Sequence, residues 1–279
     1  MSERKITEHT IQEFRQYLMQ EEKSTATIEK YLRDTRAFAV YAGDEPVTKD
    51  LTMSYKKYLQ VKEYAVRSIN SMLASLNSLL EFLGWTDCKV KALKQQKQIY
   101  CAEEKELTRA EYMRLLEAAK RKPQLQLVMQ AICSTGIRVS ELRFFTVEAV
   151  KKGEVNVNCK GKNRTILIPG KLRKLLLDYA GKEKIRSGVI FTNRNGKPLN
   201  RSCIWAQMKA LCRDAGVNSG KVFPHNLRKL FARTFYGLEK DIAKLADILG
   251  HSSIDTTRIY IMTTGTEHRR KIEQLRLVL

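Results

Sequence analysis

The chain has 279 residues, which suits one large domain or two of ordinary size. It has no run of about 18 apolar residues and no apolar stretch near the N-terminus, so we expect neither a membrane span nor a secretion signal. Lys and Arg outnumber Asp and Glu by 51 to 30, and the net charge of +21 predicts a polyanionic partner. This excess is concentrated in residues 101–279, which hold 35 basic and 17 acidic side chains.

Six cysteines and four histidines are scattered along the chain without CxxC pairs or metal-ligand spacing. We therefore expect free thiols in a reducing cytoplasm, no metal site and no cofactor. A phosphate-binding loop of the form GxxxxGK[ST] is also absent from the sequence.

Residues 1–86 have the pattern of a small helical bundle. Apolar side chains at helical spacing mark the first of four predicted helices, with Ile11, Phe14 and Leu18 on one face. Gly43 and Gly84 end the second and fourth helices. Residues 87–104 are lysine-rich and lose this periodicity, which predicts a basic linker.

Residues 105–279 begin with a capping box formed by Thr108 and Glu111. A helix then runs into Ser134-Thr135-Gly136, where the glycine suits a left-handed cap two residues before Arg138.

The periodicity then changes from helical to alternating. Residues 155–158 and 165–168 alternate around a basic turn, which predicts an antiparallel β-hairpin. The remaining sequence predicts helices at about 171–181, 200–215, 224–236, 239–249 and 253–261, and from residue 267 onward. The predicted fold is therefore mainly α with a small antiparallel β-hairpin.

Five short motifs follow one another in residues 105–262: STGIRVSEL (134–142), the hairpin lysine Lys160, HNLR (225–228), LGH (249–251) and Tyr260. Together and in this order they resemble the signature of the tyrosine recombinases, the phage-integrase family. The resemblance implies a helical core-DNA-binding domain over 1–86, the linker over 87–104, and a mixed α/β catalytic domain with a C-terminal helix over 105–279.

Arg138 and Arg228 have the chemistry that phosphodiester cleavage needs. A guanidinium matches phosphate bidentately and stays charged at working pH, so two of them can neutralise the non-bridging oxygens. The resemblance assigns His225 to proton transfer and phosphate contact, and His251 suits a hydrogen-bond donor to phosphate. On one straight helix His251 and Tyr260 would stand about 13 Å apart, so we expect a break at Ser252 or Ser253.

Tyr260 is the predicted nucleophile. The chain has eleven tyrosines, and Tyr236 also lies close to the HNLR motif, but the spacing from LGH selects Tyr260. Attack by its phenolate would form a phosphotyrosyl bond, so the strands could be rejoined without ATP.

The general acid for the leaving oxygen is expected on the hairpin. The resemblance favours Lys160, but the sequence CKGKNRTILIP lacks the glycine that commonly precedes that lysine, so Lys162 stays an alternative. Glu141 resembles the family's acidic residue after the first arginine and is expected to support the site.

The resemblance implies metal-independent cleavage of duplex DNA held between the two domains, through a 3′-phosphotyrosyl intermediate. It also implies strand exchange within a homotetramer at specific sites, for integration or excision of a mobile element, with a possible accessory directionality factor. The C-terminal helix would dock on a neighbouring protomer or on its own domain. Two alternatives stay open: a tyrosine-using DNA topoisomerase and a non-catalytic DNA-binding regulator.

Overall fold

The chain is mainly helical, as its sequence predicts. A computed structural model describes residues 4–96, 100–101, 103–159, 162–275 and 277. The chain divides into two units, Met1–Lys97 and Gln98–Leu279. Within the described ranges, the only sheet is a two-stranded antiparallel hairpin, which confirms the predicted fold class. None of the helices described is long and apolar enough to cross a membrane.

The N-terminal unit is a bundle of four helices, each of which the periodicity predicts. Side chains of Thr7, Ser24 and Thr48 cap the first three helices by accepting hydrogen bonds from backbone N–H groups. The helices are α1 (Glu8–Gln20), α2 (Thr25–Ala42), α3 (Lys49–Val61) and α4 (Val66–Phe82). Their apolar stripes form a buried interior that includes Phe14 and Phe38.

The first part of the predicted linker lies along this bundle. Asn77 exchanges hydrogen bonds with both backbone groups of Val90, and Asn70 does the same with Leu93. Val90 is buried. The division between the units at residues 97 and 98 falls inside the segment 87–104, whose exact limits stay a prediction.

The second unit holds the hairpin and the remaining helices. Its elements are α5 (Arg109–Ala118), α6 (Pro123–Thr135), α7 (Val147–Lys152), β1 (Glu154–Cys159), β2 (Lys162–Leu167), α8 (Gly170–Lys182), α9 (Arg201–Ala210), α10 (Cys212–Ala215), α11 (Pro224–Glu239), α12 (Ile242–Leu249), α13 (Ile254–Ile261) and α14 (Gly265–Glu273). The predicted capping box of Thr108 and Glu111 is confirmed. The prediction of one helix over 200–215 is wrong, because the segment is two helices separated at Leu211.

The hairpin packs one face against the main core of the second unit. In its register Val155 lies opposite Ile166 and Val157 lies opposite Arg164. Val155, Val157 and Ile166 are buried. Because side chains alternate along a strand, Arg164 shares the inward face with Ile166 and extends toward the end of α12.

Candidate active site

The end of α6 places the first predicted arginine. Gly136 ends this helix in the left-handed conformation, with φ +64°, which confirms the predicted cap. A Cβ at Gly136 would lie 2.5 Å from a ring carbon of Phe231, so only glycine allows α11 to pack this closely. Arg138 lies two residues further on, after Ile137, and is the N-cap of a short 3₁₀ helix, Val139–Phe144.

Arg138 is held by two partners and remains partly exposed. Its Nη1 donates to Glu141 Oε1 at 2.9 Å, and its Nη2 donates to the carbonyl of Gly250 at 2.8 Å. The backbone N–H of Arg138 donates to Glu141 Oε2 at 2.8 Å. With 39% of its side chain exposed, the guanidinium has a face left for a ligand.

Arg228 is among the most buried side chains of the protein, at 2% exposure. Its guanidinium donates to the carbonyls of Gly136 and Leu249. Burial lowers the pKa of Arg228 to about 10, with the charge of Arg138 acting in the same direction and the Tyr260 hydroxyl acting against it. The side chain stays protonated at neutral pH and forms the rigid floor of the site.

The C-terminal end of α12 binds three arginines through three consecutive carbonyls. The carbonyl of Ile248 accepts from Arg164 at 2.9 Å, that of Leu249 from Arg228 at 2.5 Å, and that of Gly250 from Arg138. The last carbonyls of a helix lack intrahelical partners and carry the negative end of the helix dipole, so they bind cations well. Gly250 adopts φ +62°, which turns the chain out of the helix toward His251.

His251 has a defined tautomer. Arg228 Nη2 lies 3.2 Å from His251 Nε2 and can only donate, so Nε2 accepts. The proton is therefore on Nδ1, which donates to Thr257 Oγ1 at 2.9 Å. Desolvation, reinforced by Arg228, Arg138 and Arg164, lowers the pKa of His251 to about 4. In this arrangement His251 accepts at Nε2, whereas its predicted role is a donor to phosphate.

Tyr260 reaches the site because the chain breaks after α12, as the distance argument predicts. Ser253 caps the new helix α13 by accepting from the N–H of Asp255. The Tyr260 ring is 7% exposed and meets both predicted histidines edge-on. Its centroid lies 5.0 Å from that of His225 and 4.8 Å from that of His251.

His225 lies in the first turn of α11, directly after Pro224. One side of the residue is exposed at the edge of the site, its ring packs against Tyr260, and the positive end of the helix dipole lies behind it. Desolvation lowers the pKa of His225 to about 4, and the charges of Lys229, Arg228 and other nearby arginines act in the same direction. The imidazole is therefore neutral at pH 7 and able to accept a proton.

A cavity of about 280 Å³ lies beside the site, and its lining includes Arg138, His225 and Arg228. Two further lining residues, Arg201 and Trp205 on α9, were not predicted. Their i, i+4 spacing is visible in the sequence, but nothing local indicates that this helix face turns toward the cavity.

The remaining predicted residues have different outcomes. Glu141 is 1% exposed and bridges Arg138 and Arg164. Burial alone would raise the pKa of Glu141, but the Arg138 backbone N–H and the two guanidiniums hold it below its usual range. Lys160 lies outside the described residues, and of Lys162 the structure describes only the backbone, as the first residue of β2. The choice between these two lysines stays a prediction.

The C-terminal helix α14 is joined to its own chain by an ion pair. Glu267, in its first turn, accepts from Arg233 of α11 at 2.8 Å. Thr264 and Glu267 form a capping box at the start of this helix. Docking on a neighbouring protomer stays a prediction.

The assembled groups can bind and polarise a phosphate. The guanidiniums of Arg138 and Arg228 and the imidazole of His225 line one cavity, and the rings of His225 and His251 both meet the buried phenol of Tyr260. Such preorganised donors stabilise charge as it develops on non-bridging oxygens. Clustered shifts of pKa, here in His225, His251 and Arg228, are typical of functional sites.

Comparison with known proteins identifies the family. Residues 105–266 match the phage integrase family, and residues 2–87 match the phage integrase N-terminal SAM-like domain. The tyrosine recombinase XerA of Pyrococcus furiosus is 31% identical over 286 residues, which cover 100% of this chain and 98% of that protein. The tyrosine recombinase XerD of Halalkalibacterium halodurans is 27% identical, over 88% of this chain and 90% of that protein.

Solved structures show the same fold. A lambda integrase tetramer bound to a Holliday junction superposes with a TM-score of 0.73 at 19% identity, covering 92% of this chain and 77% of that chain. At this identity the likeness concerns the fold alone. Because the family match spans more than half of the sequence, the chain belongs to the phage integrase family, that of the tyrosine recombinases.

Proposed function

We propose that this protein is a site-specific DNA recombinase that cuts and rejoins strands through a covalent bond between Tyr260 and a 3′-phosphate. The observation that carries the proposal is a cluster in which His225 and His251 both meet the buried Tyr260, Arg228 contacts His251, and Arg138 lines one cavity with His225 and Arg228. The relatives named tyrosine recombinase align along nearly the whole chain, which supports the same activity here.

In the proposed reaction, the guanidinium of Arg138 binds the non-bridging oxygens of the phosphate to be cleaved, and the buried charge of Arg228 stabilises the negative charge that develops on them. The Tyr260 oxygen attacks phosphorus, and its proton passes to the neutral imidazole of His225. The bond from phosphorus to the 5′-oxygen breaks, leaving a 3′-phosphotyrosyl link. Arg228 is rigid and Arg138 is partly exposed, so we assign Arg138 the first contact with incoming DNA and Arg228 the fixed charge behind it.

The departing 5′-oxygen must take a proton, and a lysine of the hairpin is our proposed donor, Lys160 with Lys162 as the alternative. Rejoining runs the same steps in reverse with the 5′-hydroxyl of another strand as nucleophile. Because the guanidiniums supply the charge that a metal ion would otherwise bring, we expect cleavage to continue in EDTA.

The partner we propose is double-stranded DNA carrying specific recombination sites. Counterion release from a basic surface makes such binding strongly dependent on salt, with a slope near −0.9 for each phosphate neutralised. The fold shared with the lambda integrase tetramer on a Holliday junction supports a homotetramer as the active assembly. Integration or excision of a mobile element is the biological role we predict, and an accessory directionality factor is a further prediction.

The test is a nicked suicide substrate, whose leaving fragment diffuses away and traps the covalent complex. Wild-type protein should form an adduct that Tyr260→Phe does not form. Tyr236→Phe is the matched control, because Tyr236 packs in the same apolar cluster and should not be needed. An adduct that persists in Tyr260→Phe would overturn the assignment.

A second assay separates recombination from relaxation of supercoils. Two duplexes that carry the bound site are incubated with the protein, and exchanged products are scored. A topoisomerase would reseal the original ends only, and a DNA-binding regulator would form no adduct. Performing the reaction with and without a host extract tests the accessory factor.

A further inference from the structure

Arg164 is a largely buried arginine that has no part in the steps above. It lies on β2 with its side chain on the inward face of the hairpin, and only 12% of that side chain is exposed. A charge in such a position is costly unless it is paired and fully hydrogen-bonded. Its partners therefore indicate why the sequence keeps an arginine there.

The side chain is fixed between the carboxylate of Glu141 and the end of α12. Nη2 of Arg164 donates to Glu141 Oε2 at 2.5 Å, and Nη1 donates to the carbonyl of Ile248 at 2.9 Å. Its Cδ packs over Gly250, where an added Cβ would lie only 2.8 Å away. Arg164 thus contacts the residues that also hold Arg138.

Two guanidiniums consequently share one buried carboxylate. Glu141 Oε1 accepts a hydrogen bond from Arg138, and Glu141 Oε2 accepts one from Arg164. With only Arg138 and Glu141, the pair would be neutral overall, and the carboxylate would compete with phosphate for the guanidinium. Adding Arg164 gives the group a net positive charge, in a site where low dielectric strengthens every charge.

We propose that Arg164 is a positioning residue that balances the charge of Glu141, so that the carboxylate does not cancel the positive potential at Arg138 and Arg138 keeps its orientation for the DNA phosphate. The inference rests on the proposed function. It adds a source for the positive potential of the site, a strand arginine bound to Glu141 and to the end of α12.

The first test compares a neutral with a charged replacement. Arg164→Gln can still form hydrogen bonds but carries no charge, and its single-turnover cleavage rate should fall at least about tenfold, or about 1.4 kcal/mol of activation free energy. Arg164→Lys keeps the charge and should stay within about threefold of wild type. Equal losses in the two variants would overturn the proposal.

The second test removes the carboxylate that Arg164 is proposed to balance. In the Glu141→Gln background, Arg164→Gln should change the cleavage rate by less than about threefold, since no negative charge remains to be balanced. The double variant should also cleave faster than Arg164→Gln alone. If Arg164 only holds the fold together, the same tenfold loss will appear in both backgrounds. The comparison of Glu141→Gln with the double variant does not use Arg164→Gln alone, so a tenfold loss between those two would overturn the proposal even if the single variant does not fold.

A third measurement does not depend on activity. Inorganic phosphate should raise the melting temperature through binding at Arg138, and the part of the shift that Arg138→Ala removes reports on this site. We expect Arg164→Gln to weaken that binding at least about fivefold and Glu141→Gln to restore it. An unchanged affinity would contradict the inference.

Arg173→Ala is the matched control for these measurements. Arg173 is an exposed arginine that donates to the carbonyl of Lys151 in the last turn of α7, and its loss should change neither phosphate affinity nor cleavage. If wild type formed no adduct with DNA but the phosphate results held, the proposed function would fail while the charge balance stood.

Discussion

Replacing Gly136 by alanine should destabilise the protein through two separate effects. The left-handed backbone at φ +64° costs an L-residue about 1–2 kcal/mol. The added Cβ would also lie 2.5 Å from Phe231 and 3.0 Å from Leu249, and such overpacking costs about 1–3 kcal/mol. We therefore expect a loss of about 3 kcal/mol in the free energy of unfolding, or about 9 °C in melting temperature for a unit of this size.

Gly196→Ala separates the two effects. Gly196 has a similar backbone, φ +71°, but an added Cβ would meet no atom within 4 Å, so only the backbone cost of about 1 kcal/mol should remain. Urea unfolding of both variants gives the comparison. Because the Gly136 carbonyl accepts from Arg228, Gly136→Ala should also slow cleavage, whereas Gly196→Ala should not. Equal destabilisation of the two variants, within about 0.5 kcal/mol, would refute the packing argument.

Three further predictions concern the site. Arg228→Ala and Arg138→Ala should both abolish adduct formation, while DNA binding in a gel-shift assay persists. Only Arg228→Ala should lower the melting temperature strongly, because it leaves two buried carbonyls unpaired, at a cost of about 1–3 kcal/mol each. Thr257→Val removes the hydrogen-bond partner of His251 Nδ1 and should slow cleavage about tenfold. Thr256 is an exposed neighbour, so Thr256→Val should leave the rate unchanged. Equal rates in the two variants would argue against the proposed tautomer of His251. The folded pKa of His251, about 4, lies below the unfolded value near ~6.5, so the unfolded state binds the proton first. The contribution of neutral His251 to the free energy of unfolding should be complete above the unfolded pKa and should be lost as the pH falls toward 4. In urea titrations, His251→Gln should flatten this decline.

Local rules predict much of the fold and of the site. The left-handed caps at Gly136 and Gly250 and the new helix start at Ser253 follow from residues next to one another in sequence. The hairpin follows from period-two alternation. These features alone bring His251 and Tyr260 to one place, which is why the tyrosine could be selected from the sequence.

Long-range pairing could not be predicted in the same way. The carbonyl of Ile248 binds Arg164 across 84 residues of chain, and no local pattern encodes such a contact. One signal was available: Arg164 alternates with the buried Ile166 and Ile168, and a charge on an inward strand face needs a partner. The tautomer of His251 likewise depends on Arg228, which belongs to another helix.

Identifying the residue that carries the DNA tests most directly whether Tyr260 is the nucleophile. The covalent complex trapped on a suicide substrate is digested with nuclease and trypsin, and the modified peptide is sequenced by mass spectrometry. We expect a 3′-phosphonucleotide on Tyr260 within the peptide Ile259–Arg269. A nucleotide on any other residue, Tyr236 included, would contradict this expectation.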